Sequence, residues 1–233
     1  MCNGDRFIFG PLNWNPIYDS LKIAIYKSPS PRNKQLFVKL MQLLLHALPC
    51  PLCRNSYAVY GDPFFNYKNT DLEHDVWSLH QRVNQKLGIV RNENKQGDVP
   101  LPFDKFRKRM LVWSSFSSAQ SLWDLFFVLA FTYPEDEIVN NGSIKESRRH
   151  CIIKYIQTLC LLLIHSPFHY SVCSLILEKL KQEKVFKSSK HFFEWLYDCY
   201  TYWFQKNMPP QFKIESLEEA NNRFRYSCAH ASI

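Results

Sequence analysis

Two cysteines separated by only two residues, Cys50 and Cys53, are the clearest candidates for chemistry in the sequence. Pro51 and Leu52 lie between them, and the pair follows a Leu-rich segment that ends at Pro49. This spacing is used by redox disulfides and by zinc sites. Two unrelated buried thiols are the simplest alternative. The pattern therefore leaves three interpretations open.

A zinc site would combine the cysteine pair with His74 and His80, at a spacing close to that of a zinc finger. The two histidines lie six residues apart on one predicted helix, which places them about 120° from a common face. A redox disulfide needs only a thiol of lowered pKa. The pair opens a predicted helix, whose N-terminal dipole lowers a thiol pKa, and Arg54 adds a nearby cation. The context favours the redox disulfide.

The predicted helix over 71–87 carries polar residues in a stripe that should be buried. Trp77, His80, Asn84 and Leu87 recur at intervals of three and four residues, with Val83 beside them. A buried histidine and a buried asparagine need hydrogen-bond partners. Either other core groups supply these partners, or a bound polar ligand does.

Composition narrows the fold class. The chain has 233 residues, of which 46% are hydrophobic, so it can bury a core without disulfide staples. It has 6 glycines and neither GxGxxG nor GxxxxGK[ST], which argues against a Rossmann or P-loop enzyme. The net charge is +8, and residues 1–110 contain 16 basic and 9 acidic side chains, against 13 and 12 in residues 111–233. This asymmetry is compatible with two halves that have different partners, but the simpler interpretation is a solvated basic surface on the first half.

Apolar residues recur at helical spacing along the chain, and strand-like alternation is scarce, so the sequence predicts an all-α protein. Pro49 is expected to end the second helix and Gly88 to cap the fourth. Residues 91–102 and 140–143 are expected to be loops. Predicted helices cover 21–26, 36–47, a short segment from Cys50, 71–87, 103–110, 119–133, 146–165, 168–184, 189–205 and 215–225.

The two halves of the chain have a weak likeness to each other. LMQLLLHALPCPLC at 40–53 is similar to LCLLLIHSPFHYSVC at 159–173, and WSLHQRVNQKLG at 77–88 stands opposite WLYDCYTYWFQK at 195–206. The second half has no CxxC pair. We therefore expect two units, 1–112 and 113–233, and it stays open whether the second is a degenerate copy of the first.

Three motifs resemble, in the same order, those of the Erv/ALR sulfhydryl oxidases, which are small helical FAD enzymes. GPLNW at 10–14 resembles the family's GPxxW, LPCPLC at 48–53 its (Y/L)PCxxC, and HQRVNQKLG at 80–88 its HNxVNxxLxK segment. The likeness covers about residues 8–110 and is closest to the short forms of large DNA viruses. Tyr18, Ser56, Gln81 and Ile89 depart from the family pattern, and the second cysteine pair of its cellular members is missing.

The resemblance implies an FAD-binding four-helix bundle with a short fifth helix, followed by a second helical domain. It implies that Cys50 and Cys53 are the catalytic pair: a substrate thiolate attacks Cys50, and Cys53 passes two electrons to the flavin, which reduces O2 to H2O2. The residues implied to bind FAD are Trp14, Tyr18, Cys53, Trp77, His80, Val83, Asn84 and Lys86. No metal is expected.

Partners and location follow from the same resemblance. It implies dithiol proteins as substrates, O2 as acceptor, a homodimer, and a viral protein in the host cytoplasm, with packaging in the virion as an open alternative. We expect no targeting segment and no membrane span. Cys2 and Cys228 are single cysteines near the two ends, so a shuttle pair would need them to join each other or a second copy. Cysteines expected in the core are Cys151, Cys160, Cys173 and Cys199.

Two alternative functions belong to different classes. One is a purely structural helical interaction protein, which would show neither metal nor flavin and would keep its function in Cys50→Ser. The basic charge and the zinc-like spacing of Cys50, Cys53, His74 and His80 would suit a zinc-stabilised nucleic-acid-binding protein. Such a protein would bind zinc stoichiometrically and would be colourless. The ordered motifs favour the thiol oxidase, so nucleic acid is not the expected partner.

Overall fold

The computed structural model describes residues 5–49, 51–61, 64, 71–91, 101–112, 114–134, 138–141, 144–181, 186–209 and 211–228. In these residues the chain is helical apart from one short β-hairpin, which confirms the all-α fold class. The helices are α1 (Asp5–Lys22), α2 (Pro31–Ala47), α3 (Pro51–Tyr60), α4 (Leu72–Arg91), α5 (Phe103–Val112), α6 (Ala119–Phe131), α7 (Arg148–Leu163), α8 (Tyr170–Lys179), α9 (Ser189–Asn207) and α10 (Leu217–Cys228). None of these helices is long and apolar enough to cross a membrane.

Serine and proline set several of the helix starts. Ser30 caps α2 by accepting a hydrogen bond from the Asn33 N–H at 3.1 Å, and Pro31 occupies the first helical position. Ser147 caps α7 in the same way through the His150 N–H. Capping serines therefore fix where these helices begin, which hydrophobic periodicity alone does not do.

Two predicted helix boundaries in the N-terminal half of the chain are wrong. The helix predicted over 21–26 is the end of the long α1, which continues as one π-helical turn at Ile23–Lys27. Gly88 does not cap α4, which runs on to Arg91. A glycine inside a helix costs only about 1 kcal/mol relative to alanine, so it does not by itself end one. The predicted loop over 91–102 lies largely outside the described residues.

Residues 140–141, predicted as loop, and 146–147, predicted as helix, are β-strand in the structure, whereas 142–143 lie outside the described residues. Strand β1 (Ile138–Asn141) pairs antiparallel with β2 (Ile144–Ser147), and Ile138 stands opposite Ser147. The helix predicted over 168–184 is shorter, since α8 covers Tyr170–Lys179. The hairpin leads directly into α7 and so orients its first residue, Arg148.

The buried core is continuous through both halves of the chain. Helix α2 packs on α7, α6 packs on α9, and α1 contacts both α6 and α7. One apolar cluster extends from Ile17 to Ala220, with Phe37 and Trp123 among its largest fully buried side chains. The domain boundary at 112/113 stays a prediction, but the packing joins the two predicted units through helices of both.

Candidate functional site

The second cysteine of the predicted pair lies at an accessible helix start. Cys53 is exposed in the first turn of α3, which begins at Pro51. Proline suits this position because its missing N–H has no intrahelical partner there. The N-terminal end of the helix dipole favours a thiolate over a thiol. Cys50 lies outside the described residues.

Two arginines hold the turn between α2 and α3. Arg54 Nη1 donates to the carbonyl oxygens of Leu48 and Pro49 at 3.0 and 2.9 Å. Arg148, buried at the start of α7, donates from Nε to His46 O at 2.9 Å and from Nη2 to Leu48 O at 3.0 Å. The last carbonyls of a helix have no intrahelical donors and form the negative end of its dipole. The guanidinium groups therefore stabilise the backbone that leads to the cysteines.

Three of the predicted flavin-binding residues meet in one aromatic cluster. The ring centroids of Trp14 and His80 are 4.5 Å apart, and those of Trp14 and Tyr18 are 5.9 Å apart. Tyr18 OH lies 2.5 Å from His80 Nδ1. Tyr18 is buried, and the other two side chains are half-buried. The structure thus brings α1 and α4 together at the residues that the motifs single out.

Burial sets the charge state of this cluster. It lowers the pKa of His80 to about 4, so the ring is neutral at pH 7. It also raises the pKa of Tyr18, against the opposing effect of the Arg109 charge. A phenol O–H is a stronger hydrogen-bond donor than an imidazole N–H, so we assign Tyr18 as the donor to Nδ1, which puts the proton of the neutral imidazole on Nε2. The second ring nitrogen of His80 is consequently a hydrogen-bond donor.

Trp77 belongs to a neighbouring group of rings. Its Nε1 donates to Leu101 O at 2.6 Å, and its ring lies 5.6 Å from that of Phe103. Phe103 stacks on Phe106 at 6.5 Å, and Phe106 lies 5.5 Å from Tyr18. A continuous series of aromatic contacts therefore joins Trp77 to the cluster, although no direct contact between Trp77 and His80 is described.

The buried face of α4 differs from the predicted one. Leu72, Val76 and Leu79 are buried, and Val83 continues the row as a half-buried side chain packed on the core. The predicted burial of Asn84 is wrong, because it lies one residue beyond this row and is exposed. Its amide faces solvent and needs no partner in the core.

Lys86 joins the two helices that carry the redox and histidine motifs. Its Nζ donates to Ser56 Oγ, one turn beyond Cys53 on α3. The resemblance implies a phosphate contact for this lysine, whereas the structure shows it bonded to a hydroxyl. The contact places the cysteine helix beside the helix of His80.

The histidines do not form a metal cluster in the part of the chain that the structure describes. His74 is exposed, and its ring packs against Trp77 at 5.4 Å and Phe103 at 5.3 Å. His80 Nδ1 contacts Tyr18. Among the described residues, no group of three or more His, Cys, Asp or Glu side chains could hold a metal ion.

A buried carboxylate beside the cluster anchors the segment between α5 and α6. Asp19 accepts hydrogen bonds from Phe116 N at 2.8 Å, from Ser117 N at 2.9 Å, and from the hydroxyls of Ser115 and Ser117 at 2.9 and 2.6 Å. Because Ser117 Oγ donates to Asp19, it accepts from His169 Nε2 at 2.8 Å. Burial lowers the pKa of His169, with Asp19 opposing the shift. The network joins α1 to the second half next to Tyr18.

Several residues at this site give no clear signal in the sequence. Phe116 lies 5.4 Å from the ring of Tyr18, and Tyr155 OH donates to Asn13 Oδ1 at 2.7 Å beside Trp14. The serines that flank Phe116 are a weak hint of side-chain hydrogen bonding, but nothing in the spacing identifies Asp19 as their distant partner. Nor does it identify Arg148 as the partner of the turn at 46–48.

Comparison of the chain with protein-family models, with curated protein sequences and with solved structures finds no match. The likeness to Erv/ALR oxidases stays a resemblance carried by three short motifs. Interpretation of the site therefore depends on its own residues and their geometry.

Proposed function

We propose that this chain is an FAD-linked thiol oxidase that forms disulfides in dithiol proteins. One observation carries the proposal: α4 holds His80 against Trp14 and Tyr18 of α1, and the same helix contacts α3, which presents Cys53 in its first turn. Three motifs that are distant in the sequence therefore lie on helices that contact one another. A thiol at the start of a helix that contacts the helix of a half-buried aromatic cluster suits thiol redox chemistry.

The donor set around His80 fits a flavin nucleotide. Trp14 offers a half-buried ring face for stacking, and His80 Nε2 and the exposed Asn84 amide offer hydrogen-bond donors. Lys86 supplies a cation for a diphosphate. Tyr18, Trp77 and Val83 would complete the residues that hold FAD.

When bound, FAD supplies a two-electron acceptor for thiols that returns its electrons to O2. The chain's own part is thiol–disulfide exchange at Cys50 and Cys53. A substrate thiolate attacks one sulfur of the Cys50–Cys53 disulfide, which breaks the S–S bond, releases the other cysteine as a thiolate and leaves a mixed disulfide. The second substrate thiolate then attacks the substrate sulfur of the mixed disulfide and displaces the cysteine. The substrate leaves as a disulfide, and the pair keeps two electrons as a dithiol.

Local electrostatics support this exchange. The dipole of α3 and the guanidinium of Arg54, which binds Leu48 O and Pro49 O, both favour a thiolate at the helix start. Neutral His80 holds its proton at Nε2, and Tyr18 fixes the orientation of the ring. Dithiol proteins as substrates, O2 as acceptor, a homodimer and the host cytoplasm all remain parts of the proposal.

An absorbance spectrum combined with oxygen uptake tests the proposal. The purified or FAD-reconstituted chain should show the flavin band at about 450 nm and consume O2 in the presence of dithiothreitol. Cys50→Ser and Cys53→Ser should keep the band and lose turnover, whereas the matched control Cys228→Ser should keep both. A colourless chain that does not bind FAD would overturn the proposal, and stoichiometric zinc in that chain would favour the zinc-stabilised alternative.

A further inference from the structure

Two buried cysteines in the second half of the chain lie against each other. Cys160 is on α7 and Cys173 is on α8, and neither residue is exposed to solvent. A hydrogen bond joins the two thiols. We propose that Cys160 and Cys173 are an oxidation site that closes to an intrachain disulfide between α7 and α8. The inference is independent of the proposed function.

The short connection between the two helices brings the cysteines together. Cys160 O accepts a hydrogen bond from Ile164 N at the end of α7, and Cys173 N donates to His169 O at the start of α8, at 2.9 Å each. The two cysteines are therefore equally far along the chain from the segment 164–169 that joins the helices. Because α7 and α8 pack on each other, this equal spacing places the two side chains side by side.

Contact between the thiols is the condition that a disulfide needs. The S–S bond is about 2 Å long and the two Cβ atoms must lie about 4 Å apart, so cysteines that the fold holds apart cannot be joined without movement of the backbone. The fold already holds Cys160 and Cys173 within hydrogen-bond reach of each other. Closure then requires rotation of two side chains rather than rearrangement of two helices.

A small-molecule disulfide such as glutathione disulfide is the oxidant. The thiolate of one cysteine attacks a sulfur of the oxidant, breaks its S–S bond and releases one small thiolate. The thiolate of the second cysteine then attacks the protein sulfur of the mixed disulfide and releases the other small thiolate. The two cysteines lose two protons and two electrons in total, and the small disulfide leaves as two thiols.

Burial decides when this exchange takes place. It raises the pKa of Cys160, and the hydrogen bond to Cys173 acts in the same direction, so the thiol of Cys160 stays protonated in the folded chain. A buried, protonated thiol is inert towards oxidants. The disulfide should therefore form while α7 and α8 dock, before the core covers the pair. Once formed, it is covered by the same core and protected from reductants.

The test uses the full chain without flavin. The reduced chain is unfolded in urea and refolded in glutathione buffers that range from reducing to oxidising. Free thiols are then blocked with iodoacetamide, and linked peptides are identified by mass spectrometry. Cys160→Ala and Cys173→Ala each remove one partner. Cys199→Ala is the matched control, since it removes a buried thiol on α9.

Peptides linked through Cys160 and Cys173 should accumulate in the unchanged chain and in Cys199→Ala, and both variants of the pair should lose them. Dithiothreitol should reduce this disulfide at least about a hundredfold more slowly in the folded chain than in urea. The disulfide closes a short loop, so it should raise the urea midpoint of unfolding by about 1 M relative to the reduced chain.

A refolded chain in which both thiols are still free in the most oxidising buffer overturns the inference. So does a mixture in which Cys160 is linked to other cysteines as often as to Cys173. Both outcomes are read from the unchanged chain, so they do not depend on whether an alanine variant folds. A chain that does not bind FAD would end the proposed function and leave this result as it is.

Discussion

Tyr18 and His80 are 62 positions apart in the sequence, yet Tyr18 OH and His80 Nδ1 are separated by only 2.5 Å. This hydrogen bond links the aromatic residues of α1 to those of α4. It fixes which imidazole nitrogen carries the proton, and so which atom of His80 a ligand would meet. Tyrosine stands here where the resembling family has histidine.

Tyr18→Phe should lower the free energy of unfolding by about 1 kcal/mol, because it removes the donor to a nitrogen of the half-buried imidazole. It should also mix the two tautomers of His80. Tyr57→Phe is the control, since it loses a comparable buried bond to Met41 O at 2.7 Å. Urea unfolding measures the first effect and ¹⁵N NMR of the imidazole the second. A Tyr18→Phe spectrum identical to that of the unchanged chain would contradict the assigned tautomer.

Stability should depend on pH through His80. Its pKa is lowered to about 4 in the folded chain from the ordinary 6.5. Between these two values the unfolded chain binds a proton that the folded chain does not, so the free energy of unfolding falls as the pH falls. The loss approaches about 3 kcal/mol below pH 4.

Urea unfolding at several pH values between 7.5 and 4 checks this dependence. Burial lowers the pKa of His169 too, so His169 contributes to the pH dependence in the same direction. The effect of His80 is therefore measured as the difference between the unchanged chain and His80→Gln. The variant should show a shallower decline than the unchanged chain. Parallel curves would mean that His80 is not the neutral, buried group described here.

Asp19→Asn should destabilise the chain by about 3 kcal/mol. The N–H groups of Phe116 and Ser117 bind different oxygens of this buried carboxylate, so the NH2 group of an amide faces one donor or the other, whichever way the amide is turned. Asp124→Asn, at a half-buried position where Gln120 donates at 3.1 Å, should cost no more than about 0.5 kcal/mol. Urea unfolding measures both, and equal losses would argue against the network at Asp19.

The cysteines should differ in the reactivity of their thiols, according to how deeply each is buried. Burial raises the pKa of Cys199 to about 12, and burial together with a hydrogen bond to Cys173 raises the pKa of Cys160. In the native, reduced chain at pH 8 these thiols should react with a maleimide at least about a hundredfold more slowly than exposed Cys53. Isotope-coded labelling followed by peptide mass spectrometry gives the individual rates. Labelling of Cys160 as rapid as that of Cys53 would contradict the packing of α7 on α8.

Local patterns in the sequence predicted most helices but few of the tertiary contacts. The spacing of Leu36, Leu40 and Leu44 was sufficient for α2, because an amphipathic face needs only near neighbours. The burial of Asn84 was predicted wrongly, since two adjacent stripes on α4 are both compatible with the periodicity and only packing selects between them.

The candidate site shows the same contrast between local patterns, which the sequence reveals, and tertiary contacts, which it does not. The order of the motifs singles out Trp14, Tyr18 and His80 as candidates, and the structure shows the three rings in contact, while their role as a site stays a prediction. Arg148 and Asp19 could not be found in this way, because each acts on backbone groups nearly a hundred positions away. A hydrogen bond to a backbone group does not depend on the side chain of that residue, so it leaves no pattern in the sequence at the distant position.

The packing of α2 against α7 decides which pieces of the chain can be produced alone. A fragment that stops at residue 112 keeps the cysteine pair and the aromatic cluster but uncovers the apolar side of α2, including Leu40 and Leu44. It also leaves the carbonyls of His46 and Leu48 without their guanidinium donor. Truncation at residue 112 should therefore yield an aggregating polypeptide, so tests of the cysteine pair need the second half of the chain as well.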